Sequence, residues 1–334
     1  MTDLADQNAR APLGGSADPD KIATSPAPHA AGTAPMREMT ADLVVIGAGS
    51  AGLSAAAGAA QLGLSVVLYK KGEMGGDCLN TGCVPSKALL SAAKAAAEIR
   101  DAGKFGIETT PPRIHWDKVK QHVNASIATI APVDSQERFE GLGCTVIREH
   151  AKFAGPDTII SPTTRVKARR IIIATGSRAF IPPIEGLATV PYLTNETIFS
   201  IPEMPKHLII LGGGPIGMEM AQAFTRLGAK VTVVEMGKAL GRADRDHAEI
   251  AIEALRDEGV TILEGYKATK IEQDGEAIRV LTEPKGGEAW TLEGSHLLVA
   301  VGRQTVFDGM DLEAGNVDHD RRGIIVGLPS TWTQ

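Results

Sequence analysis

Two stretches of this chain repeat one pattern at a fixed offset of 165 residues (212 − 47 and 217 − 52). Leu43-Val44-Val45-Ile46 runs into Gly47, Gly49 and Gly52. Leu208-Ile209-Ile210-Leu211 runs into Gly212, Gly214 and Gly217. The offset continues without a gap through Leu62-Gly63 against Leu227-Gly228, and Val66 against Val231. Each copy reads as apolar strand, glycine turn, helix, Leu-Gly stop and second strand, which is a βαβ unit. A lone glycine turn of this spacing is a weak signal. Here each directly follows a buried strand and opens a helix, as a dinucleotide-binding fingerprint demands. The first glycine allows the tight turn, the second lets the backbone approach a pyrophosphate, and the third lets helix and strand pack closely. Helix N-terminal amides then face the phosphate charge. The bland alternative is two strand–helix turns that bind nothing. The pair predicts an α/β chain with two Rossmann-like, three-layer dinucleotide-binding units.

The two copies differ where the second strand ends. Glu235 lies 23 residues after Gly212 (235 − 212), where a carboxylate accepts hydrogen bonds from ribose hydroxyls and repels a 2′-phosphate. The second unit is therefore expected to take NAD(H) rather than NADP(H). The matching position in the first copy holds Lys70, and lysine has no acceptor to offer a ribose hydroxyl. Losing charge-assisted bonds of this kind costs about 1.5–3 kcal/mol, or about 10- to 150-fold in affinity. Glu73 is near enough in sequence to be the candidate that compensates.

Between the copies, helices are expected over 86–100 and 116–130, and strands over 145–147 and 170–174. Pro182-Pro183 and the proline-bearing stretch 202–205 read as a crossover. Further strands are expected at 260–263, 278–281 and 296–301. This gives a first unit over 41–178, a second inserted over 179–302, and a return to the first from 303 to 334. The leading 1–40 is rich in Ala, Pro, Gly, Ser and Asp and is expected to be a disordered tail, with Met36 or Met39 as a candidate true start. It lacks the apolar core of a secretory signal, and no apolar run approaches the roughly 20 residues that span a bilayer. The net charge of −6 argues against a basic nucleic-acid surface. A cytoplasmic protein with no membrane or nucleic-acid partner is the expectation.

Three cysteines do not staple a chain of 334 residues. Two of them, Cys78 and Cys83, fall in Gly75-Gly76-Asp77-Cys78-Leu79-Asn80-Thr81-Gly82-Cys83-Val84-Pro85-Ser86-Lys87. Thiols this close on a turn entering a helix can form a reducible disulfide, and a helix N-terminus lowers a thiol pKa. Such a pair exchanges two electrons through a mixed disulfide. The alternatives are a zinc site or two buried thiols. Zinc wants four ligands, and no second Cys/His pair has ligand spacing. Cys144 reads as buried and inert, His115, His122 and His247 suggest no metal, and Trp116 reads as core.

The segment resembles the redox-active motif of the pyridine nucleotide–disulfide oxidoreductases, the group that includes dihydrolipoyl dehydrogenase, glutathione reductase and mercuric reductase. The resemblance runs from about 41 to 326. Asp77 stands where Thr is commoner, and Gly-Gly-Asp-Cys leans toward the mercuric-reductase-like and dihydrolipoyl-dehydrogenase-like members. It implies FAD on the first unit and NAD(H) on the second. Cys78 would be the interchange thiol that meets substrate, with Cys83 against the flavin. Lys87 and Glu219 would form an ion pair beside the flavin ring. Gly76 belongs to the same motif, Ala151 falls where the backbone touches the FAD adenine, and Thr175 and Gly176 match a segment near that cofactor. Gly302 and Arg303 match the closing Gly-Arg, which counts Gly302 among the cofactor-binding residues, although Thr305-Val306 replaces the usual Pro-Asn. The substrate class implied is a small-molecule disulfide or Hg(II).

Members of this family continue well beyond residue 334, into a further strand and an interface domain that completes a homodimer and supplies a His–Glu acid–base pair. The chain fits the family through Arg321-Arg322-Gly323-Ile324-Ile325-Val326, and 327–334 does not. A frameshift or premature stop near Gly327, with the interface domain absent, is the expectation. Two other functions remain open: an NADH diaphorase that does not use the thiols, and an inactive remnant that binds nucleotide.

Overall fold

The computed structural model describes residues 36–325 apart from 285, 287 and 321. The expected tail up to 35 and the anomalous end over 327–334 lie outside the described residues.

β1 (Arg37–Ile46) enters the first glycine turn, α1 (Ser50–Gln61) follows, and β2 (Val66–Tyr69) returns parallel to β1 with Ile46 opposite Tyr69. The cysteine motif supplies a five-residue helix, α2 (Gly76–Asn80), and the start of α3 (Cys83–Asp101). α4 (Trp116–Ile130) and α5 (Gln136–Gly141) lead to β3 (Cys144–Ile147), which pairs parallel with β2. β4 (Lys152–Gly155), β5 (Thr158–Ile160) and β6 (Thr164–Ile173) form an antiparallel meander, and β6 then pairs parallel with β1. The sheet order is β3-β2-β1-β6-β5-β4. Successive residues of β1 serve opposite faces. Leu43 and Val45 pack with Leu53, Ala56 and Phe139, whereas Val44 and Ile46 pack with Phe153, Ile159 and Val166. A parallel strand buried on both faces reads as a continuous apolar run, as this one does.

The second unit repeats the plan. β7 (Ser177–Ala179) leads out of the first sheet toward β8 (His207–Leu211), α6 (Pro215–Arg226) and β9 (Lys230–Glu235). α7 (Arg245–Asp257) and β10 (Thr261–Glu264) follow. β11 (Tyr266–Asp274), β12 (Ala277–Pro284) and β13 (Trp290–Gly294) form an antiparallel sheet, and β14 (His296–Val299) returns to pair parallel with β8. The parallel order is β10-β9-β8-β14. Leu208 and Ile210 face the helices, among Met218, Phe224 and Ile252, while Ile209 and Leu211 face Ile271, Ile278 and Val280 of the antiparallel sheet. The three layers are thus helices, parallel sheet and antiparallel sheet. β15 (Arg303–Thr305) pairs antiparallel with β7, so the chain comes back beside the point where it left. β16 (His319–Asp320) and β17 (Gly323–Ile324) close a short hairpin.

α3 and α4 also pack on α6. Trp116 lies 5.8 Å from Phe224 between ring centroids and donates its indole N–H to Ile201 O at 3.0 Å, so it is core. The described residues contain no helix long and apolar enough to cross a membrane.

Three boundaries differ from expectation. β1 begins at Arg37 rather than after Thr40, because Arg37 to Ala41 pair with Thr164 to Ala168 of β6. β6 accordingly starts before the apolar 170–174. α3 starts at Cys83 rather than after Pro85, since a proline in the first helical turn forfeits an N–H that has no partner there anyway. Ser86 N already donates to Gly82 O at 3.0 Å. The shift places Cys83 on the first turn of a 19-residue helix.

Candidate nucleotide cradles and redox cleft

The six fingerprint glycines separate by what a methyl group would meet. At Gly47, with φ +113°, a Cβ would lie 2.2 Å from Ala174 O, and at Gly52 it would lie 1.8 Å from Gly47 O. At Gly212, with φ +104°, it would lie 2.4 Å from Ala300 O, and at Gly217 2.1 Å from Gly212 O. These four are required by the packing of the protein itself. The middle glycines are different. A Cβ on Gly214 would meet no protein atom within 4 Å, and one on Gly49 would meet Gly76 Cα at an ordinary 3.8 Å. Gly49 and Gly214 are also the N-caps of α1 and α6, and neither helix has a side-chain cap or an acidic residue in its first turn. Both turns therefore present uncapped amides and an open space beside the backbone, which fits the pyrophosphate of FAD in the first and of a nicotinamide dinucleotide in the second. Gly76, with φ +62°, packs its backbone on Gly49, where a Cβ would lie 2.6 Å from Gly49 Cα. The cysteine motif thus begins against the first cradle.

Glu235 stands at the mouth of the second cradle. Its carboxylate accepts hydrogen bonds from the backbone N–H of Gly213 at 2.8 Å and of Gly237 at 2.7 Å. Those bonds fix the side chain and leave lone pairs on both oxygens for ribose hydroxyls. Lys70, its counterpart, lines a cleft with Ile46, Gly47, Glu149, Ala151, Thr175 and Val306. Burial, and then the charges of Arg148 and Lys71, push the Lys70 ammonium pKa down. Glu73 does not compensate. It turns to Arg148 at 3.8 Å, is largely exposed, and is not among the residues lining this cleft. Ala151 is buried, and Gly176, with φ +76°, accepts from Val306 N at 3.1 Å. Gly302 accepts from Phe180 N at 3.0 Å and lines neither cleft.

A second cleft gathers Cys83, Lys87, Glu219, Asn195, Arg303 and the first residues of α6, Pro215 and Ile216. Lys87 Nζ lies 2.6 Å from Glu219 Oε1, joining α3 to α6. Cys78 is half-buried and Cys83 exposed, both as free thiols. The helix N-terminus predicts a lowered thiol pKa, but the Cys83 thiol is pushed up. The hydrogen bond with Cys78 is the largest cause, burial comes next, and Lys87 draws it partly back. A thiol paired with another thiol holds its proton more tightly than one facing a cation alone.

The structure adds a clamp that the sequence does not announce. Asp77 Oδ1 accepts from Thr81 Oγ1 at 2.6 Å and from Asn195 Nδ2 at 2.9 Å. Asp77 Oδ2 lies 2.9 Å from Arg303 Nη2, and Arg303 donates to Ser177 Oγ and Ser177 O, each at 2.7 Å. The turn that carries Cys78 is thereby tied to both segments that run between the units. Cys144 is buried, and burial pushes its thiol up. Among the described residues no cluster of three His, Cys, Asp or Glu could hold a metal.

Residues 41–327 match the family described as pyridine nucleotide-disulphide oxidoreductase. The chain belongs to that family. Its members are FAD- and NAD(P)-dependent oxidoreductases. The chain is 36% identical over 292 residues to a mercuric reductase of Streptomyces lividans, covering 85% of this chain and 61% of that protein. It is 35% identical over 296 residues to a dihydrolipoyl dehydrogenase of Thermus scotoductus, covering 86% and 62%. Among solved structures, the HOCl-induced flavoprotein disulfide reductase RclA of Escherichia coli aligns with a TM-score of 0.73 at 28% identity, over 86% of this chain and 62% of that one. The chain spans about three-fifths of the length of these curated relatives.

Proposed function

We propose that this chain is an FAD-dependent, NAD(H)-linked oxidoreductase whose redox pair is Cys78–Cys83. Its substrate is a small disulfide, as for dihydrolipoyl dehydrogenase, or Hg(II), as for mercuric reductase. The observation that carries the reading is a single cleft holding Cys83, the Lys87–Glu219 pair and the start of the helix opened by the second glycine turn. On this reading Gly47, Gly49, Gly52, Gly76, Ala151, Thr175 and Gly176 hold FAD. Gly212, Gly214, Gly217 and Glu235 hold NAD(H), and the carboxylate of Glu235 disfavours a 2′-phosphate. Gly302 carries the chain from one site toward the other.

When bound, FAD supplies acceptance of a hydride from NADH and delivery of two electrons to a disulfide. The protein residues do the rest. Two electrons and one proton open the Cys78–Cys83 bond to one thiolate and one thiol. The Lys87 ammonium, fixed by Glu219, favours the anion at Cys83. Cys78 gives up its proton, attacks a sulfur of the substrate disulfide as thiolate and forms a mixed disulfide, and the released substrate thiolate takes up that proton. Cys83 as thiolate then attacks Cys78 Sγ. This restores the Cys78–Cys83 bond and releases the second substrate thiolate, which is protonated in turn. The net change is one disulfide, two electrons and two protons to two thiols. For Hg(II), a soft cation, the two thiolates are suitable ligands.

Anaerobic NADH should bleach the flavin absorbance of the FAD-loaded chain and raise a long-wavelength band from the Cys83 thiolate beside the ring. Cys83→Ser should remove that band. Cys78→Ser should keep NADH-to-dye transfer and abolish disulfide reduction. Disulfide turnover unaffected by Cys78→Ser would place the chemistry outside the thiols and overturn the reading.

A further inference from the structure

Position 70 closes the first glycine turn as position 235 closes the second. Gly47 N donates to Tyr69 O at 2.8 Å, and Gly212 N donates to Val234 O at 2.9 Å, so Lys70 and Glu235 follow equivalent bonds. In the second turn this position offers an anion to a ribose. In the first it offers a cation. The pyrophosphate end of the first cradle fits FAD, but its ribose end does not match a ribose that carries only hydroxyls.

The surroundings of Lys70 sharpen the mismatch. The side chain is half-buried in the cleft that holds Gly47, Ala151 and Thr175. None of the ion pairs among the described residues includes it, and Lys71 lines the same cleft. Glu149 and Asp308 line the same cleft, but neither forms an ion pair with Lys70. Glu149 accepts from the Thr163 hydroxyl at 2.7 Å and from Thr163 N at 3.2 Å. Asp308 pairs with Arg178 at 2.9 Å, and Glu73 with Arg148 at 3.8 Å. A half-buried ammonium beside Lys71 and Arg148, with no carboxylate in ion-pair contact, gains from a direct anionic partner. A phosphate on the adenosine ribose supplies one and accepts charge-assisted hydrogen bonds, which a neutral hydroxyl does only weakly. In dinucleotide folds a basic residue near this position accommodates a ribose 2′-phosphate.

We propose that the first cradle of this chain is a site for adenine nucleotides that carry a further phosphate on the 2′-hydroxyl of the adenosine ribose, that Lys70 reads that phosphate, and that such nucleotides compete there with FAD. The two cradles then sort nucleotides by opposite charges at one position: Lys70 takes the phosphorylated ribose, and Glu235 takes the plain one. The inference rests on the reading of the first cradle as an adenine-dinucleotide site. It adds a ligand class and a competition that controls flavin loading.

The test is calorimetric titration of the full, nucleotide-free chain with adenosine 2′,5′-bisphosphate and with ADP, at an ionic strength of about 50 mM to limit screening. A Gly214→Val background, its fold checked by a thermal melt, blocks the second cradle, because the added Cβ enters space that no protein atom within 4 Å occupies. Adenosine 2′,5′-bisphosphate is expected to bind at least about tenfold tighter than ADP, about 1.4 kcal/mol. Lys70→Gln should abolish that preference and Lys70→Glu should reverse it. The bisphosphate should also raise the FAD concentration needed for half-loading. Equal affinities in the Gly214→Val chain, or a preference that survives Lys70→Gln, would overturn the proposal. A separate FAD titration monitored by flavin fluorescence distinguishes the two readings. Failure of FAD to bind sinks the flavoenzyme reading while the bisphosphate preference remains measurable.

Discussion

Gly214 and Gly217 sit three residues apart on the same turn, and the structure assigns them opposite consequences on substitution by alanine. At Gly217 the new methyl would lie 2.1 Å from Gly212 O, a backbone atom that cannot move aside as a side chain does. An ordinary contact needs well over an ångström more, so α6 must back away from β8. Overpacking of this kind costs about 1–3 kcal/mol and occasionally more. For a chain of this size that lowers Tm by about 1.5–4 °C. At Gly214 the methyl enters open space. The fold should be unaffected, but on the proposed function the methyl enters the space that the pyrophosphate would take. A steric penalty of the same 1–3 kcal/mol, now on binding, weakens NADH by about 5- to 150-fold. The assays are a thermal melt followed by near-UV circular dichroism, and NADH binding followed by fluorescence at a temperature where both variants are folded. A Gly214→Ala variant that melts as low as Gly217→Ala while binding NADH normally would refute the assignment of the middle glycine to a ligand.

Two further outcomes follow from the redox cleft. Alkylation of Cys83 by iodoacetamide in the reduced chain, resolved by peptide mass spectrometry, should show a midpoint pH above the ordinary thiol value of about 8.5, since Cys78 and burial push the thiol up. Lys87→Met should move the midpoint higher still, because the cation that favours the thiolate is gone; a midpoint at or below the ordinary value would count against this arrangement. Asp77→Ala removes the shorter of the two acceptors of the buried Asn195 amide, the other being Thr81 O at 3.3 Å, and should cost about 1 kcal/mol, with little added by the partly exposed Arg303 pair. Asp77→Asn, which keeps an acceptor oxygen, should recover part of the lost Tm, and an unchanged Tm in Asp77→Ala would show that the clamp does not stabilise the fold.

What the sequence made legible depended on how local the physics was. Leu43 to Ile46 and Leu208 to Leu211 are buried on both faces, so they stand out as unbroken apolar runs, and the glycines after them are fixed by contacts within or beside one βαβ unit. The first half of β6, Thr164 to Arg169, is hidden because its buried residues alternate with Arg165, Lys167 and Arg169. β13 is hidden for a related reason: Trp290 to Glu293 are mostly exposed, and what makes them a strand is pairing with β12. The apolar residues that signal the antiparallel layer are spaced for one face alone. Its role as the cover of Ile209 and Leu211 belongs to the tertiary structure.

The site divides along the same line. Cys78, Cys83 and the glycines are visible because their chemistry needs a fixed local spacing. Asn195 is invisible because its partner lies 118 residues away and nothing in its neighbourhood marks it. Glu73 shows the converse error. Proximity of three residues along a turn says nothing about direction, and the side chain faces Arg148 instead of the ribose end of the cleft. Lys70 is the instructive case. Its departure from the pattern is plain in sequence, where it reads as a lost hydrogen bond. The structure changes the sign of that argument. With Glu149, Asp308 and Glu73 each outside ion-pair contact with it, the ammonium is a donor without a direct anionic partner, and the position is better described by the ligand charge it favours than by the hydroxyl contact it gives up.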